Sequence, residues 1–415
     1  MANKKIDWSP KNWPKLLFQL FTSFKLATVV LVFMTLITLY GTLAQVELGL
    51  FAAKKLYFHS FFVIHDFWGT IPMILPGGLL LMIVLFTNMV FGAIIKSRKR
   101  WRGAGLLISH TGMLMLLASG FVTWAFASDG YMALYPGMKS DRVESYRKWQ
   151  FEIVPLKDDG SAENVWILPS DELSSIRPDE KRVYQTDALP FSIVINGFSI
   201  NATPVPLSAP ISASAKGKEI DGFKLVPQDP AKEAAANFPG CYVEFQPKEE
   251  GAKPIEAIIS AYSAGFGPGE KPMPFQFEVG GQKYGALLAK KSWKVPFEVH
   301  LDEFIFDRHP GISMARGYES KVTRLEEGKP EKAIEIKMNE PMRYEGFTFF
   351  QESFGPAGSQ PGDRMYSQFA VANNPADQWP LYSLIVTSCG LGIHFLTMLV
   401  QFIVRSRKKH APAKS

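Results

Sequence analysis

Two of the seven histidines, His110 and His394, sit inside long apolar runs of the chain. An ionisable side chain in such a run is costly, so it ordinarily faces a bundle interior, where it holds a cofactor, relays protons or pairs with a polar group. Neutral imidazole suits haem iron, which takes axial ligands from opposite sides of its ring. His110 lies eight residues after Arg102 and His394 eleven before Arg405, about 12 and about 16 Å along a helix that rises ~1.5 Å per residue. Two histidines at similar depth on neighbouring helices could hold one haem. The pair could also divide, one ligating and the other packing, or each could hydrogen-bond to a Ser or Thr on another helix.

The other histidines carry weaker signals. His59 and His65 belong to the aromatic stretch Tyr57–Trp68, whose rings with polar tips suit an interfacial helix. The sharper reading makes it a rim where a flat apolar ligand meets water, and adds His59 to the candidate ligands. His300, in a strand-like segment, and His309, before a Pro-Gly turn, read as structural, and His410 belongs to a basic tail. Cys241 and Cys389 lie in segments of different character and are not expected to pair. Without C-x-x-C or C-x-x-C-H, the chain has neither a dithiol redox motif nor a covalent c-type haem site. It also lacks G-x-S-x-G, a P-loop, H-E-x-x-H and a dinucleotide fingerprint.

The apolar runs that position these residues are four, expected as helices over Leu26–Ala44, Ile71–Ile95, Gly105–Phe126 and Leu381–Val404. Each approaches or exceeds the roughly 20 residues needed to cross a bilayer. Basic residues cluster before the first run, between the second and third, and after the fourth. With both termini cytoplasmic, all three clusters obey the positive-inside rule, and Trp68, Trp101, Trp124 and Trp379 fall near span ends. The first run, longer than the core of a cleaved signal peptide, is expected to be retained. The net charge of +6 is unevenly spread, since residues 129–380 hold 28 basic and 36 acidic side chains and are net −8. That pattern favours anionic lipid at the membrane flanks and argues against a nucleic-acid partner.

Between the third and fourth runs, alternation marks short strands at Phe151–Leu156, Phe191–Ile200, Cys241–Phe245, Phe297–Phe306, Ala333–Met338 and Phe347–Gln351. With turn signals such as Asn196-Gly197, they predict a β-sandwich or a pair of packed sheets, in one large or two smaller units. Ser208–Glu219 reads as a loop, and Asp229–Asn237 as a short helix or loop. The expected fold is an α+β membrane protein with four transmembrane helices, three N-terminal and one C-terminal, and a large all-β extracytoplasmic domain between helices three and four. Its domains are residues 1–128, 129–380 and 381–415.

Several segments together resemble the ResB (CcsB) family, a membrane subunit of the System II machinery for cytochrome c maturation. They are Gly41-Thr42-Leu43-Ala44-Gln45, Phe58-His59-Ser60 and Ser109-His110-Thr111-Gly112, then His309-Pro310-Gly311 with Tyr318-Glu319-Ser320-Lys321-Val322, and finally Met338 to Gln351. The resemblance spans the chain, although Lys157–Lys290 carries little of it. It implies a subunit in the bacterial cytoplasmic membrane that works with a ResC (CcsA) partner to move haem b across the bilayer and present it to apocytochrome c. It points to His110 as an iron ligand, with the partner supplying the opposite one. The partner's tryptophan-rich signature is absent, so the chain is not expected to form thioether bonds alone. Two other readings stand beside it. One is a β-domain scaffold anchored by helices and holding no haem; the other is a self-contained b-type cytochrome using His110 and His394.

Overall fold

The computed structural model describes residues 12–67, 71–97, 99–156, 165–213, 217–249, 251–263, 267–268, 273–309, 315–356, 359 and 363–409. The chain divides into two compact units, Met1–Ala127 with Asn374–Ser415, and Ser128–Asn373.

The first unit holds four helices long and apolar enough to cross a membrane, at Phe24–Leu48, Gly78–Ile95, Trp101–Phe126 and Trp379–Ser406. In the first, the hydroxyls of Thr28, Thr35, Thr38 and Thr42 donate to carbonyls four residues back at 2.7–3.1 Å. Hydroxyls satisfied in this way need no water. Gly49, at φ +80°, ends the helix, and its N–H bonds back to the Gln45 carbonyl at 3.0 Å. Glycine adopts that backbone without a Cβ penalty.

The second helix starts later than the hydropathy predicts. Residues Ile71–Pro76 form strand β2, antiparallel to β1 (Phe62–Phe67), with Val63 opposite Leu75 and His65 opposite Met73. Two features outweigh hydropathy here. Pro72 and Pro76 interrupt helical hydrogen bonding, and Phe62-Val63-Ile64 is rich in strand formers. Val63 and Leu75 pack with Val30, Ile37, Tyr57 and Leu81 into the core of this unit. The interfacial helix expected over Tyr57–Trp68 is likewise corrected. Only Tyr57 and Phe58 are helical, closing the π-helical turn Lys54–Phe58, and Trp68 lies outside the described residues.

The second unit is mainly antiparallel β, with one short helix at Ser170–Leu173 and single 3-10 turns. Its strands are β3 (Ser128–Leu134), β4 (Lys139–Leu156), β5 (Trp166–Leu168), β6 (Lys181–Tyr184), β7 (Phe191–Ser199), β8 (Ala202–Pro206), β9 (Phe223–Pro227), β10 (Gly240–Pro247) and β11 (Ile255–Ser260). They continue as β12 (Phe275–Val279), β13 (Gln282–Arg308), β14 (Ala315–Leu325), β15 (Lys332–Lys337), β16 (Met342–Tyr344), β17 (Phe347–Gly355) and β18 (Tyr366–Asn373). The large sheet runs β15-β14-β13-β4-β3-β18-β17-β16, with β12 also on β13 and β5 on β4. A smaller sheet runs β11-β10-β7-β6.

Two cores result. Phe191, Ile193 and Ile195 of β7 and Cys241, Val243 and Phe245 of β10 pack against Phe151, Ile153, Phe277 and Tyr284 of the large sheet, which makes a sandwich. The rest of the large sheet curls until β15 lies against β16 and β17. It encloses a second core that includes Leu134, Phe297, Val322, Phe349 and Phe369. Strand β13 serves both, through Tyr284, Ala286 and Leu288 in one and Val295, Phe297, Val299 and Leu301 in the other. Its inward residues change from even to odd numbers across the register shift between Lys290 and Ser292. An irregularity there is required, because side chains alternate faces with period two.

Asn196-Gly197, which reads as a turn in the sequence, lies inside β7. Gly197 is the extra residue of a bulge opposite Cys241 and Tyr242, at φ +73°. The space a β-carbon would need there is filled by the Pro178 carbonyl.

Candidate functional site

The third and fourth membrane-length helices pack through small residues. Gly105, Ser109 and Gly112 of the third face Ser383, Thr387, Gly390 and His394 of the fourth. A β-carbon on Gly112 would stand 2.8 Å from the Ser383 carbonyl and the Thr387 amide. One on Gly105 would stand 2.8 Å from the His394 α-carbon. Ser109 Oγ bonds within its own turn to the Gly105 carbonyl at 3.1 Å and across the seam to the Thr387 carbonyl at 3.3 Å. Small residues at this spacing let helix backbones touch, as is common where lipid removes the usual hydrophobic drive.

This seam decides what the two membrane histidines can do together. His394 is on it, packed over Gly105, and its Nδ1 is buried with no hydrogen-bond partner. At this level the two helix backbones are in close contact. His110 follows Ser109 and so lies about 100° further round the helix, on the flank of the seam, half-buried. Its Nδ1–H donates to the Leu106 carbonyl at 2.7 Å. A ring whose Nδ1 is held as donor presents Nε2 as a lone pair, the arrangement that orients a histidine toward a metal.

His59 stands elsewhere. It lines an open apolar cavity of about 220 Å³, bounded by Met34, Ile37, Met82, Phe121 and Trp124 among others. Gly41 makes the local packing possible, since a β-carbon there would come within 2.8 Å of the Phe58 ring. Gly78 fits against the Phe58 backbone in the same way, at 2.9 Å. The Gly41 and Phe58-His59-Ser60 segments are therefore two halves of one contact. The His59 ring meets Trp124 edge-on at 6.5 Å and makes no side-chain hydrogen bond among the described residues. Burial, and then the Lys54 ammonium, lower its pKa from the ordinary histidine value, so the ring is neutral at neutral pH. Trp124 is fourteen residues beyond His110, about 21 Å of helix, so His59 and His110 serve separate places. His65 is held by its own neighbours, with Nδ1 2.7 Å from the Tyr57 hydroxyl and its ring 4.5 Å from that of Tyr40.

Asn88 is a polar contact that histidine-centred reasoning passes over. It is buried in the second membrane-length helix and donates through Nδ2 to the carbonyls of Phe21 (2.8 Å) and Ser23 (3.1 Å). It thereby ties the break after helix Trp13–Phe21 to that helix. An amide inside an apolar run was the signal available.

In the β unit, two of the segments singled out in the sequence meet inside the curled sheet. Ser320 Oγ lies 2.7 Å from Gln351 Oε1 and 2.8 Å from Ser367 Oγ, and Gln351 Nε2 donates to Ser367 Oγ at 2.9 Å. All three are buried, and the three side chains close a ring of hydrogen bonds. Gln351→Leu is expected to cost about 1–3 kcal/mol, because it leaves buried hydroxyls short of a partner. Replacing all three with Ser320→Ala, Gln351→Leu and Ser367→Ala should recover part of that in thermal denaturation. A triple variant less stable than Gln351→Leu would show that packing, not unmatched polarity, sets the cost.

Glu345 (φ +49°) and Gly346 (φ +78°) form the two-residue turn between β16 and β17, a hairpin geometry that calls for positive φ at both positions. His300 pairs with Asp302 at 2.8 Å, and His309 is exposed, while Pro310–Met314 lies outside the described residues. Cys241 is fully buried in the sandwich, and desolvation pushes its thiol up to about 12, which leaves no thiolate for exchange at neutral pH. Among the described residues no group of three His, Cys, Asp or Glu side chains is placed to hold a metal ion. Residues 276–362, which take in β13 through β17, match the model of the ResB-like family. No curated protein matches the chain.

Proposed function

We propose, from the chain's place in the ResB-like family, that this membrane protein of cytochrome c biogenesis is a haem-handling subunit. Working with a ResC/CcsA-like membrane partner, it moves haem b as cargo across the bilayer and delivers it to apocytochrome c. The observation that carries the reading is His110. Its Nδ1–H is held by the Leu106 carbonyl at 2.7 Å, and its ring is on the flank of the helix pair, outside the glycine seam. The partner supplies the opposite ligand, a reading supported by His394 being packed on the seam over Gly105 while His110 lies on its flank. In this role the chain's own work is to fix the tautomer of His110, hold the ring at one depth and keep water from it with the apolar faces around it.

The three basic clusters support cytoplasmic termini in a bacterial inner membrane, which puts residues 129–380 on the outer face as a platform for the apocytochrome or for the partner's loops. The protein is not an enzyme alone but one subunit of the haem ligase, in contact with anionic lipid through its basic flanks. The test is co-expression with a ResC-like partner and purification of the complex. His110→Ala should strip the haem absorption, and added imidazole should restore it by filling the vacated coordination position. Undiminished haem in the variant would remove His110 as ligand and favour a haem-free scaffold.

A further inference from the structure

An arginine stands at one end of the second core of the β unit. Arg324 follows Val322 on the inward face of β14 and pairs in register with Val299 of β13. It is 8% exposed, and its Nε is buried without a hydrogen-bond partner. The guanidinium carbon is 3.9 Å from the centre of the Tyr344 ring. The carboxylates of the neighbouring turns are engaged elsewhere. Glu326 meets the Lys329 ammonium with Oε1 at 2.6 Å and accepts the Tyr344 hydroxyl on Oε2 at 2.8 Å, and Glu345 is 3.9 Å from Lys329. Lys329 also donates to the Tyr344 hydroxyl at 3.0 Å, so Tyr344 is fixed at its edge and offers its face to the guanidinium. Among the described residues the Arg324 side chain makes no ion pair and no hydrogen bond.

A cation so far buried is costly unless an opposite charge meets it, and arginine cannot escape that cost by losing its proton. Stacking on a tyrosine face offsets part of it but satisfies no N–H. What the place lacks is an acceptor. The planar guanidinium fork matches a carboxylate through two parallel hydrogen bonds. Phosphate would fit the same fork, but its second negative charge would be repelled by Glu326, so a monoanion is favoured. The surroundings select what carries it. Tyr344 and Phe347 are half-buried and flank the buried Phe297, with ring centres 5.2 and 6.4 Å from it. They leave aromatic surface beside the charge. We propose that Arg324 anchors a binding site for a carboxylate borne on an aromatic or apolar body. A haem propionate and the free end of a polypeptide both present that chemistry. The site does not depend on His110, and its failure would leave the haem-handling reading untouched.

The test is fluorine NMR of sodium 4-fluorophenylacetate added to the purified full-length chain in detergent, with 2-(4-fluorophenyl)ethanol as the uncharged counterpart. The carboxylate should show saturable line broadening with the unmodified chain, and the alcohol should not. Arg324→Gln should abolish the broadening. Arg324→Lys keeps a cation beside Tyr344 but loses the fork, and should weaken the apparent affinity by about tenfold, the worth of one charge-assisted hydrogen bond. This second variant keeps the test decisive if Arg324→Gln melts early. No saturable broadening with the unmodified chain would overturn the site, and so would broadening that both variants leave unchanged. Competition then identifies the source. Displacement of the probe by zinc protoporphyrin but not by its dimethyl ester would assign the carboxylate to a porphyrin propionate. Displacement by acetyl-Leu-Phe but not by its amide would assign it to a chain end. Acids and their neutral derivatives displacing the probe equally would show that the apolar body alone is recognised, and the proposal would fall.

Discussion

Gly112→Leu is expected to separate the third and fourth membrane-length helices and to lower the stability of the helical unit by about 3 kcal/mol or more, at or above the upper end of the usual cost of overpacking. The neighbours explain the size. The new side chain would meet the Ser383 carbonyl and the Thr387 amide at 2.8 Å, and these are helix backbone, which cannot turn aside as a flexible side chain can. Relief requires the helices to move apart, and with them go the Ser109 contact to the Thr387 carbonyl and the close fit of Gly390 on Ser109. Gly392 supplies the control. It is in the same fourth helix, yet a β-carbon there meets nothing within 4 Å, so Gly392→Leu should be neutral or slightly stabilising through helix propensity. Thermal unfolding of the two variants in one detergent checks the prediction. Equal melting would mean that the seam is not what joins these helices.

That seam shows how far the sequence could be read. The small residues of the third helix and the membrane burial of His394 are plain in one dimension. Which small residues face which is not, because Gly105 and His394 are 289 positions apart. The spans themselves were legible because length and charge are additive along the chain. Only Ile71–Pro76 misled, where apolar residues continue a helical run although two prolines have already broken it. The His59 cavity was illegible for a different reason. It depends on side chains that are missing, at Gly78 and Gly120, and on Gly41 admitting the Phe58 ring, and no local pattern reports an empty space. Asn196-Gly197 carries correct local chemistry, positive φ at the glycine, but a bulge and a hairpin use the same signal. The Ser320, Gln351 and Ser367 ring was hidden because an isolated polar residue in a strand looks like a surface position until its partners are known.

Alternation in β17 yields the second large effect, and it separates structural from functional weight within the segment that matches the family. Phe349 is fully buried in the curled sheet, opposite Met342 and Val371, with its ring 5.8 Å from that of Phe297. Phe350, one residue on, points to the other face and is half-buried, with the Arg343 guanidinium 6.0 Å from its ring. Phe349→Ala should therefore cost about 3–5 kcal/mol, the range for emptying a core aromatic position. Phe350→Ala loses an exposed cation–π contact of about 0.5–1 kcal/mol and some covered area. At roughly 2–4 °C per kcal/mol for a domain of this size, melting of the β unit should resolve the two easily. Equal destabilisation by both would place the register of β17 in error by one residue, since a slip of one exchanges the faces of every side chain in the strand. If instead Phe350→Ala melts normally but the purified complex loses its apocytochrome, the outer face of β17 is a docking surface, and the matched segment is held by partner contact on one side and by packing on the other.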